Sequence, residues 1–336
     1  MIREIARTDP ALTDAEAFQR TIVTKAEPVV IRGLGAHLPA VAAGGPSPGS
    51  MLNYLVQFDS GHCPQVFSAD EAVAGRYFYN HDLSGFNFSR QSMALPQAFA
   101  RMLQHAAGER PGTSYVGSLV APHYLPGFGE ENALTIVPRT VEPRLWIGNA
   151  SHVACHYDAY ENLACVLAGS RRFTLYPPDA IADLYVGPID HTMAGQPVSM
   201  AAADPHNPAY PRFAAARARA VTVDLAPGDA LFLPKLWWHQ VEATAPLNVM
   251  LNYWWDATAT GPDAPMLSML HAMIAIAERP EAERAAFRAF FDHFVFRPEG
   301  HPLAHVPEER RGVLKSLRGE GYGQIRAMIV RALRGG

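Results

Sequence analysis

The middle of the chain is a series of short apolar segments separated by turns that contain glycine and proline. Such segments are typical of β-strands, and many of them in succession favour an antiparallel sandwich or barrel. The pattern predicts strands at residues 114–119, 144–148, 162–167, 172–176, 220–225, 230–233 and 248–255. The polar, proline-containing stretch at 187–212 is too long for a simple connection, so we expect a functional insertion there.

The two ends of the chain show other patterns. Thr13 and Glu16 have the spacing of a capping box, so a helix is predicted to begin near Thr13. Further N-terminal predictions are strands at 28–33, 65–67 and 76–79 and helices at 51–58 and 94–106. After residue 260 the apolar positions recur at helical spacing, which predicts helices at 266–277, 281–294, 308–317 and 324–333. The last helix has an apolar face formed by Ile325, Met328, Ile329 and Leu333.

Composition is that of a folded enzyme. At 336 residues, 49% of them hydrophobic, the chain can bury a large core, in one large domain or two smaller ones. The formal net charge of −4 gives no sign of a nucleic-acid or membrane partner. Three cysteines are too few for a disulfide framework. Because the sequence has neither a signal-peptide core nor an apolar run of bilayer length, we expect a cytoplasmic protein.

The candidate chemistry centres on His156 and Asp158. Residues two apart in an extended segment point the same way, so this imidazole and this carboxylate can converge on one point. His239, in the stretch 234–241, can supply a third ligand. Two imidazoles and one carboxylate form the facial triad of non-haem Fe(II) oxygenases. The alternative is that both histidines are ordinary barrel residues bonded to the backbone, and His152 is expected to be a neighbour of the site and not a ligand.

Further motifs accompany this triad, namely the Gly169 turn, Pro177-Pro178, Pro227-Gly228-Asp229 and Trp237-Trp238-His239. In this order they resemble the cupin-like JmjC hydroxylases, whose relatives include the asparaginyl hydroxylase that inhibits hypoxia-inducible factor. The resemblance implies a double-stranded β-helix, or jelly-roll: a mainly β fold with N-terminal helices and strands and a C-terminal helical region. It places the catalytic domain at 1–258, with a barrel core at about 110–256, and a dimerisation element at 259–336. The alternative for this last region is that its helices only pack within the chain and cap the barrel.

The resemblance also implies the residues of a 2-oxoglutarate pocket. The family has a lysine fifteen residues after the first histidine, where this chain has Arg171, a permanently charged fork suited to a carboxylate. Val153 stands where the asparaginyl hydroxylase has a threonine, so one hydroxyl donor is missing. By the same carry-over Tyr115, Asn162 and Asn252 bind the cosubstrate, and Trp254 forms an aromatic wall near the substrate.

The implied activity is an Fe(II)- and 2-oxoglutarate-dependent dioxygenase that uses O₂ to hydroxylate a side chain of a protein or peptide, in a homodimer. Demethylation of methyl-lysine is less favoured, because the sequence shows neither a chromatin-reading module nor a basic patch. One alternative is a metal cupin that is not an oxygenase, such as an isomerase or small-molecule binder, in which Arg171 holds a different anion. Another is a catalytically silent binding protein, although the presence of all three ligands counts against it.

Overall fold

Two β-sheets form the frame of the N-terminal part of the protein. The computed structural model describes residues 2–45, 47–193, 195–258 and 263–335. The chain divides into two compact units, Met1–Ala257 and Thr258–Gly336. The predicted start of the C-terminal region, residue 259, lies outside the described residues.

Fourteen strands are described. They are β1 (Arg3–Ala6), β2 (Val29–Arg32), β3 (Gln65–Ala69), β4 (Arg76–Tyr77), β5 (Ser89–Ser92), β6 (Thr113–Val120), β7 (Pro143–Gly148), β8 (Ser151–His156), β9 (Glu161–Ala168), β10 (Arg171–Tyr176), β11 (Val221–Leu225), β12 (Ala230–Leu233), β13 (Trp238–Ala243) and β14 (Asn248–Trp255). The larger sheet has the order β1-β2-β12-β9-β14-β7-β6-β3-β5, and the smaller sheet has the order β11-β10-β13-β8-β4. Except for β1–β2 and β4–β8, the paired strands are antiparallel. The predicted mainly β, jelly-roll fold with flanking helices is confirmed.

The core lies in two layers. Inside the barrel, side chains of both sheets pack together, among them Val166 and Leu231 from the larger sheet and Phe173 and Val241 from the smaller one. A second cluster covers the outer face of the larger sheet with helices. Because β9 is covered on both faces, all eight of its residues are buried, which explains the continuous apolar run at 163–168.

The helices of the N-terminal unit flank the larger sheet or fill the connections. They are α1 (Ala15–Thr21), α2 (Pro39–Gly44), α3 (Pro48–Val56), α4 (Leu95–Ala106), α5 (Ala121–Tyr124), α6 (Phe128–Glu131), α7 (Met200–Ala203) and α8 (Phe213–Ala218). In α4 the buried residues Leu95, Ala98, Phe99 and Met102 follow helical spacing and pack on the core. The predicted helix at 94–106 therefore owes its position to this apolar stripe.

Two helix predictions need correction. The first helix is capped by Asp14, whose carboxylate accepts from the Ala17 N–H at 2.8 Å. Thr13 instead donates its hydroxyl to the Pro10 carbonyl, because it ends a preceding 3₁₀ turn, Pro10–Leu12. The predicted helix at 308–317 is two 3₁₀ turns, Glu308–Arg310 and Gly312–Leu314. Gly312, the first residue of the second turn, has a positive φ of 54° that a continuous helix does not allow.

The insertion at 187–212 returns to the sheet beside the candidate site. His156 forms an isolated antiparallel bridge with Val198, and the Ser199 N–H donates to the Cys155 carbonyl at 2.7 Å. The first part of the segment is held by residues of the N-terminal strand region, since Tyr79 donates to the His191 carbonyl. The insertion is therefore bonded on one side to the strand that carries His156.

The C-terminal unit is helical. It contains α9 (Pro265–Ile276), α10 (Glu281–Phe291) and α11 (Glu320–Arg334), and a π-helical turn, Asp292–Phe296, replaces the predicted end of α10. Arg326 of α11 pairs with Asp263 at 3.1 Å. Within the described ranges, none of the helices has the length and apolar character needed to cross a membrane.

Candidate metal and cosubstrate site

Two neighbouring strands of the smaller sheet bring three metal-ligating side chains together. β8 ends at His156, and β13 pairs with it so that His239 lies opposite His156. Asp158 follows two residues after the end of β8. One ligand atom from each of these side chains lies within 4.8 Å of the other two, and Nε2 of His239 is 3.6 Å from Oδ2 of Asp158. The arrangement has the donor set and convergence that a divalent cation requires.

Both histidines are held in one orientation by backbone carbonyls. Nδ1 of His156 lies 2.8 Å from the Ala154 carbonyl, and Nδ1 of His239 lies 3.0 Å from the Trp237 carbonyl. A carbonyl can only accept, so each Nδ1 carries a proton, and in the neutral imidazole the lone pair is then on Nε2. Burial lowers the pKa of His239 to about 4, and the neighbouring His156 acts in the same direction. His239 is therefore a neutral imidazole near pH 7, which is the form that binds metal.

A cavity of about 230 Å³ opens beside these three residues. It is smaller than the roughly 300–1,000 Å³ typical of cavities for drug-sized ligands, so its size suits a small cosubstrate with one side chain of a substrate. All eight residues that the sequence singled out line it: His156, Asp158, His239, Arg171, Tyr115, Asn162, Asn252 and Trp254. Val153 lines it as well, at the position where the sequence lacks a threonine hydroxyl.

Arg171 is a buried cation with few partners. Its residue is 3% exposed, and Nη2 donates to the Trp146 carbonyl at 3.2 Å. Nε has no hydrogen-bond partner in the described parts of the chain, which also supply no carboxylate within ion-pair distance. Burial lowers the pKa of Arg171, yet a guanidinium remains charged near pH 7. A buried charge without a counter-ion is costly, so the site fits an anionic ligand.

Tyr115 lies close enough to Arg171 for the guanidinium charge to affect the pKa of its phenol. It is buried, and burial raises the pKa of its phenol well above the ordinary value. The phenol therefore stays protonated and can act as a neutral hydrogen-bond donor to the same ligand.

The asparagines of the cavity belong to a small hydrogen-bond network. Trp146 Nε1 donates to Asn252 Oδ1 at 2.7 Å, and Asn252 Nδ2 donates to Asn162 Oδ1 at 3.2 Å. The Trp254 ring packs edge-to-face on Trp146 with 5.6 Å between centroids. The Arg144 guanidinium lies 5.5 Å from the centroid of the Trp254 ring. Sequence reasoning did not single out Trp146, which it placed only on the predicted strand at 144–148.

Five of the other missed residues come from two segments outside the motifs. Phe67, Tyr77 and Phe88, from the N-terminal strand region, form an aromatic part of the cavity wall, while Met193 and Gln196 come from the insertion. The predicted strands at 65–67 and 76–79 contained two of the aromatics, but a single strand does not reveal which face will meet the cavity.

Comparison with known proteins shows what the chain is similar to. The sequence model of the family described as "Cupin-like domain" matches residues 15–261. Human HSPB1-associated protein 1 is 35% identical over 150 residues, 43% of this chain and 30% of that protein. Lysine-specific demethylase JMJ31 of Arabidopsis thaliana is 34% identical over 113 residues, 33% of this chain and 20% of that protein. Human "Bifunctional peptidase and (3S)-lysyl hydroxylase JMJD7" is 28% identical over 193 residues, 48% of this chain and 59% of that protein. The chain spans only part of each of these curated relatives.

The buried charge of Arg171 leads to a stability prediction. We expect Arg171→Met to raise the free energy of unfolding of the ligand-free protein by about 1–4 kcal/mol, because an apolar side chain of similar size removes the desolvation penalty. Urea denaturation measures this change. Arg172→Met is the matched control: Arg172 is exposed and pairs with Asp224 at 2.8 Å, so its loss should change stability by less than about 1 kcal/mol. An Arg171→Met protein that is less stable than wild type would make Arg171 a structural residue.

Proposed function

The chain belongs to the cupin-like, JmjC-type domain family, and on that premise we propose that it is an Fe(II)- and 2-oxoglutarate-dependent oxygenase that hydroxylates a side chain of a protein or peptide. The observation that carries the proposal is one cavity lined both by the cluster of His156, Asp158 and His239 and by Arg171, a buried cation with no carboxylate partner in the described ranges. A metal cupin without cosubstrate needs the first feature only. An oxygenase of this type needs both.

Different residues of the cavity would hold the metal and the cosubstrate. His156, Asp158 and His239 would hold Fe(II) through two neutral imidazoles and one carboxylate, which leaves coordination positions open. Arg171 and Tyr115 would bind the distal carboxylate of 2-oxoglutarate, as a charged fork and a neutral donor. When bound, Fe(II), 2-oxoglutarate and O₂ supply the chemistry of C–H hydroxylation, with succinate and CO₂ as co-products.

Other residues of the cavity would orient the cosubstrate and enclose the reacting side chain of the substrate. The Trp146–Asn252–Asn162 chain of hydrogen bonds keeps both amides in fixed positions, so that they would face the cosubstrate without reorganisation. Val153 contributes an apolar surface, which leaves binding of the distal carboxylate to Arg171 and Tyr115. Trp254 would form an aromatic wall next to the reacting side chain of the substrate.

A protein or peptide substrate is supported by the names of two relatives. One is described as a lysine-specific demethylase and the other as a lysyl hydroxylase, and both names refer to an amino-acid side chain. The alternative of a metal cupin with a different anion on Arg171 is separated from this proposal by one assay. Iron-dependent conversion of 2-oxoglutarate to succinate occurs only if the protein is an oxygenase of the proposed kind.

The metal ligands give the first prediction for this function. Wild-type protein should bind one Fe(II) per chain under anaerobic conditions and form succinate from 2-oxoglutarate in air. His239→Ala should abolish both, because it removes one of three ligands. His152→Ala is the control, since His152 lies on the same strand as His156 but outside the ligand cluster. A fully active His239→Ala variant would rule out the assignment.

The cosubstrate pocket gives the second prediction. Arg171→Ala should weaken 2-oxoglutarate binding by roughly 3–5 kcal/mol, the scale for breaking a buried charge pair. Arg171→Lys should cost less, because the charge remains while the fork geometry is lost. Calorimetry with Mn(II) in place of iron and without O₂ measures both. If Arg171→Ala binds 2-oxoglutarate as tightly as wild type, the pocket is misassigned and the non-oxygenase cupin gains weight.

The C-terminal unit supports a second part of the proposal, a homodimer. We propose that 1–258 is the catalytic domain and that 259–336 is its dimerisation element. Large apolar side chains are exposed on all three described helices of this unit, for example Ile274 (83%), Phe290 (63%) and Leu333 (64%). Exposed apolar side chains at this density are typical of a surface that another chain covers. A second copy is the proposed occupant.

Light scattering tests the dimer. The intact chain should have twice its mass of 36.6 kDa, and the double variant Met328→Glu, Ile329→Glu should be monomeric, because charges would be buried in the interface. Ile181→Glu is the control, since Ile181 is also exposed (49%) but lies in the N-terminal unit. A monomeric wild type would contradict the proposal.

A further inference from the structure

The pairing of β8 with β13 does not reach all three candidate metal ligands. His239 lies opposite His156, and the register then shifts between His239 and Val241. Asp158 lies beyond the end of β8, so the hydrogen bonds of the sheet fix the two histidines but leave the carboxylate ligand to other contacts. The position of Asp158 therefore needs a separate explanation.

The loop 234–237, which leads into β13, supplies the cross-strand bond to Asp158. The Leu236 N–H donates to the Asp158 carbonyl at 2.8 Å. To do so, Leu236 adopts a φ of +67°, a left-handed backbone conformation that is unfavourable for a side chain with a Cβ. Its side chain is 44% exposed, so packing does not account for this conformation. Strain of this kind persists only where surrounding contacts hold it.

Glu161 binds the loop 234–237 through Lys235. It is 5% exposed, and its Oε2 accepts from the Lys235 N–H at 2.8 Å. Its Oε1 lies 3.6 Å from Lys235 Nζ, which is also 2.9 Å from Asp256 Oδ1. The buried carboxylate thus contacts the residue immediately before Leu236 through both its backbone and its side chain. These contacts fix the backbone on the N-terminal side of the strained residue.

We propose that Glu161 is a positioning residue for the metal site. By binding Lys235, it keeps Leu236 in the left-handed conformation, and the Leu236 N–H then fixes Asp158 beside His239. The proposal rests on the proposed function of the three ligands. It assigns to Glu161 a role that neither ligation nor the sheet provides, namely the relative placement of the carboxylate and the distal imidazole.

Metal affinity tests the proposal without any turnover. Co(II) is the probe, titrated in the absence of 2-oxoglutarate and followed by its visible absorption, which also reports coordination geometry. Glu161→Ala should weaken Co(II) binding by about 10–100-fold, the range for lost outer-shell partners, and alter the spectrum. Glu161→Gln keeps an oxygen for the Lys235 N–H and should weaken binding by less, about threefold. Glu242→Ala, an outward-facing acid of the same strand as His239, is the matched control and should bind as wild type.

A rescue variant separates positioning from a purely structural role. Glycine adopts a positive φ without strain, so Leu236→Gly should restore most of the Co(II) affinity lost in Glu161→Ala. If Glu161→Ala does not fold, the same rescue is measured in Glu161→Gln. Wild-type affinity in both Glu161 variants, or weakened binding that Leu236→Gly leaves unchanged, would overturn the proposal. A wild type that binds no Co(II) would instead contradict the metal site, and the proposed function with it.

Discussion

The pairing of β8 with β13 is the interaction on which the candidate site depends. It places His156 and His239 opposite each other although they are far apart in sequence, and the two carbonyl contacts to Nδ1 then orient both rings. A one-residue slip in register would turn one imidazole to the other face of the sheet. The apolar side chains between the two sheets make such a slip costly, because they would turn away from the core as well. The stability of the barrel and the geometry of the site therefore have one origin.

The cavity combines two charged groups for which the described parts of the chain supply no oppositely charged side chain. Asp158 and the two imidazoles form a site for a cation, while Arg171 provides one for an anion. Each is unfavourable alone, since a buried charge loses its hydration. Ligands that bring the opposite charges remove both penalties at once. This is the physical reason to expect a metal and an anionic cosubstrate to bind to the same cavity.

The wall of the cavity comes from segments that are less regular than the barrel. The insertion contributes Met193 and Gln196, and the N-terminal strand region contributes Phe67, Tyr77 and Phe88. A rigid scaffold with variable connecting segments is the common arrangement for binding sites, because such segments can change without loss of the core. In this protein they supply these five lining residues of the cavity.

The sequence by itself predicted most of the strands of the barrel and eight of the residues that line the cavity. Apolar runs mark the strands and turn residues mark their ends. The motif around His156 and His239 is specific enough to predict a shared site. The local pattern was wrong at one helix start. Asp14 caps the first helix in place of Thr13, because the Thr13 hydroxyl is bonded to the carbonyl of the preceding 3₁₀ turn. Only the tertiary structure decided that Arg171 is buried with no counter-ion among the described residues, that Trp146 holds Asn252, and that Glu161 reaches Lys235. These contacts join residues distant in sequence, and no periodicity along one strand reveals which side chain of another strand will lie opposite.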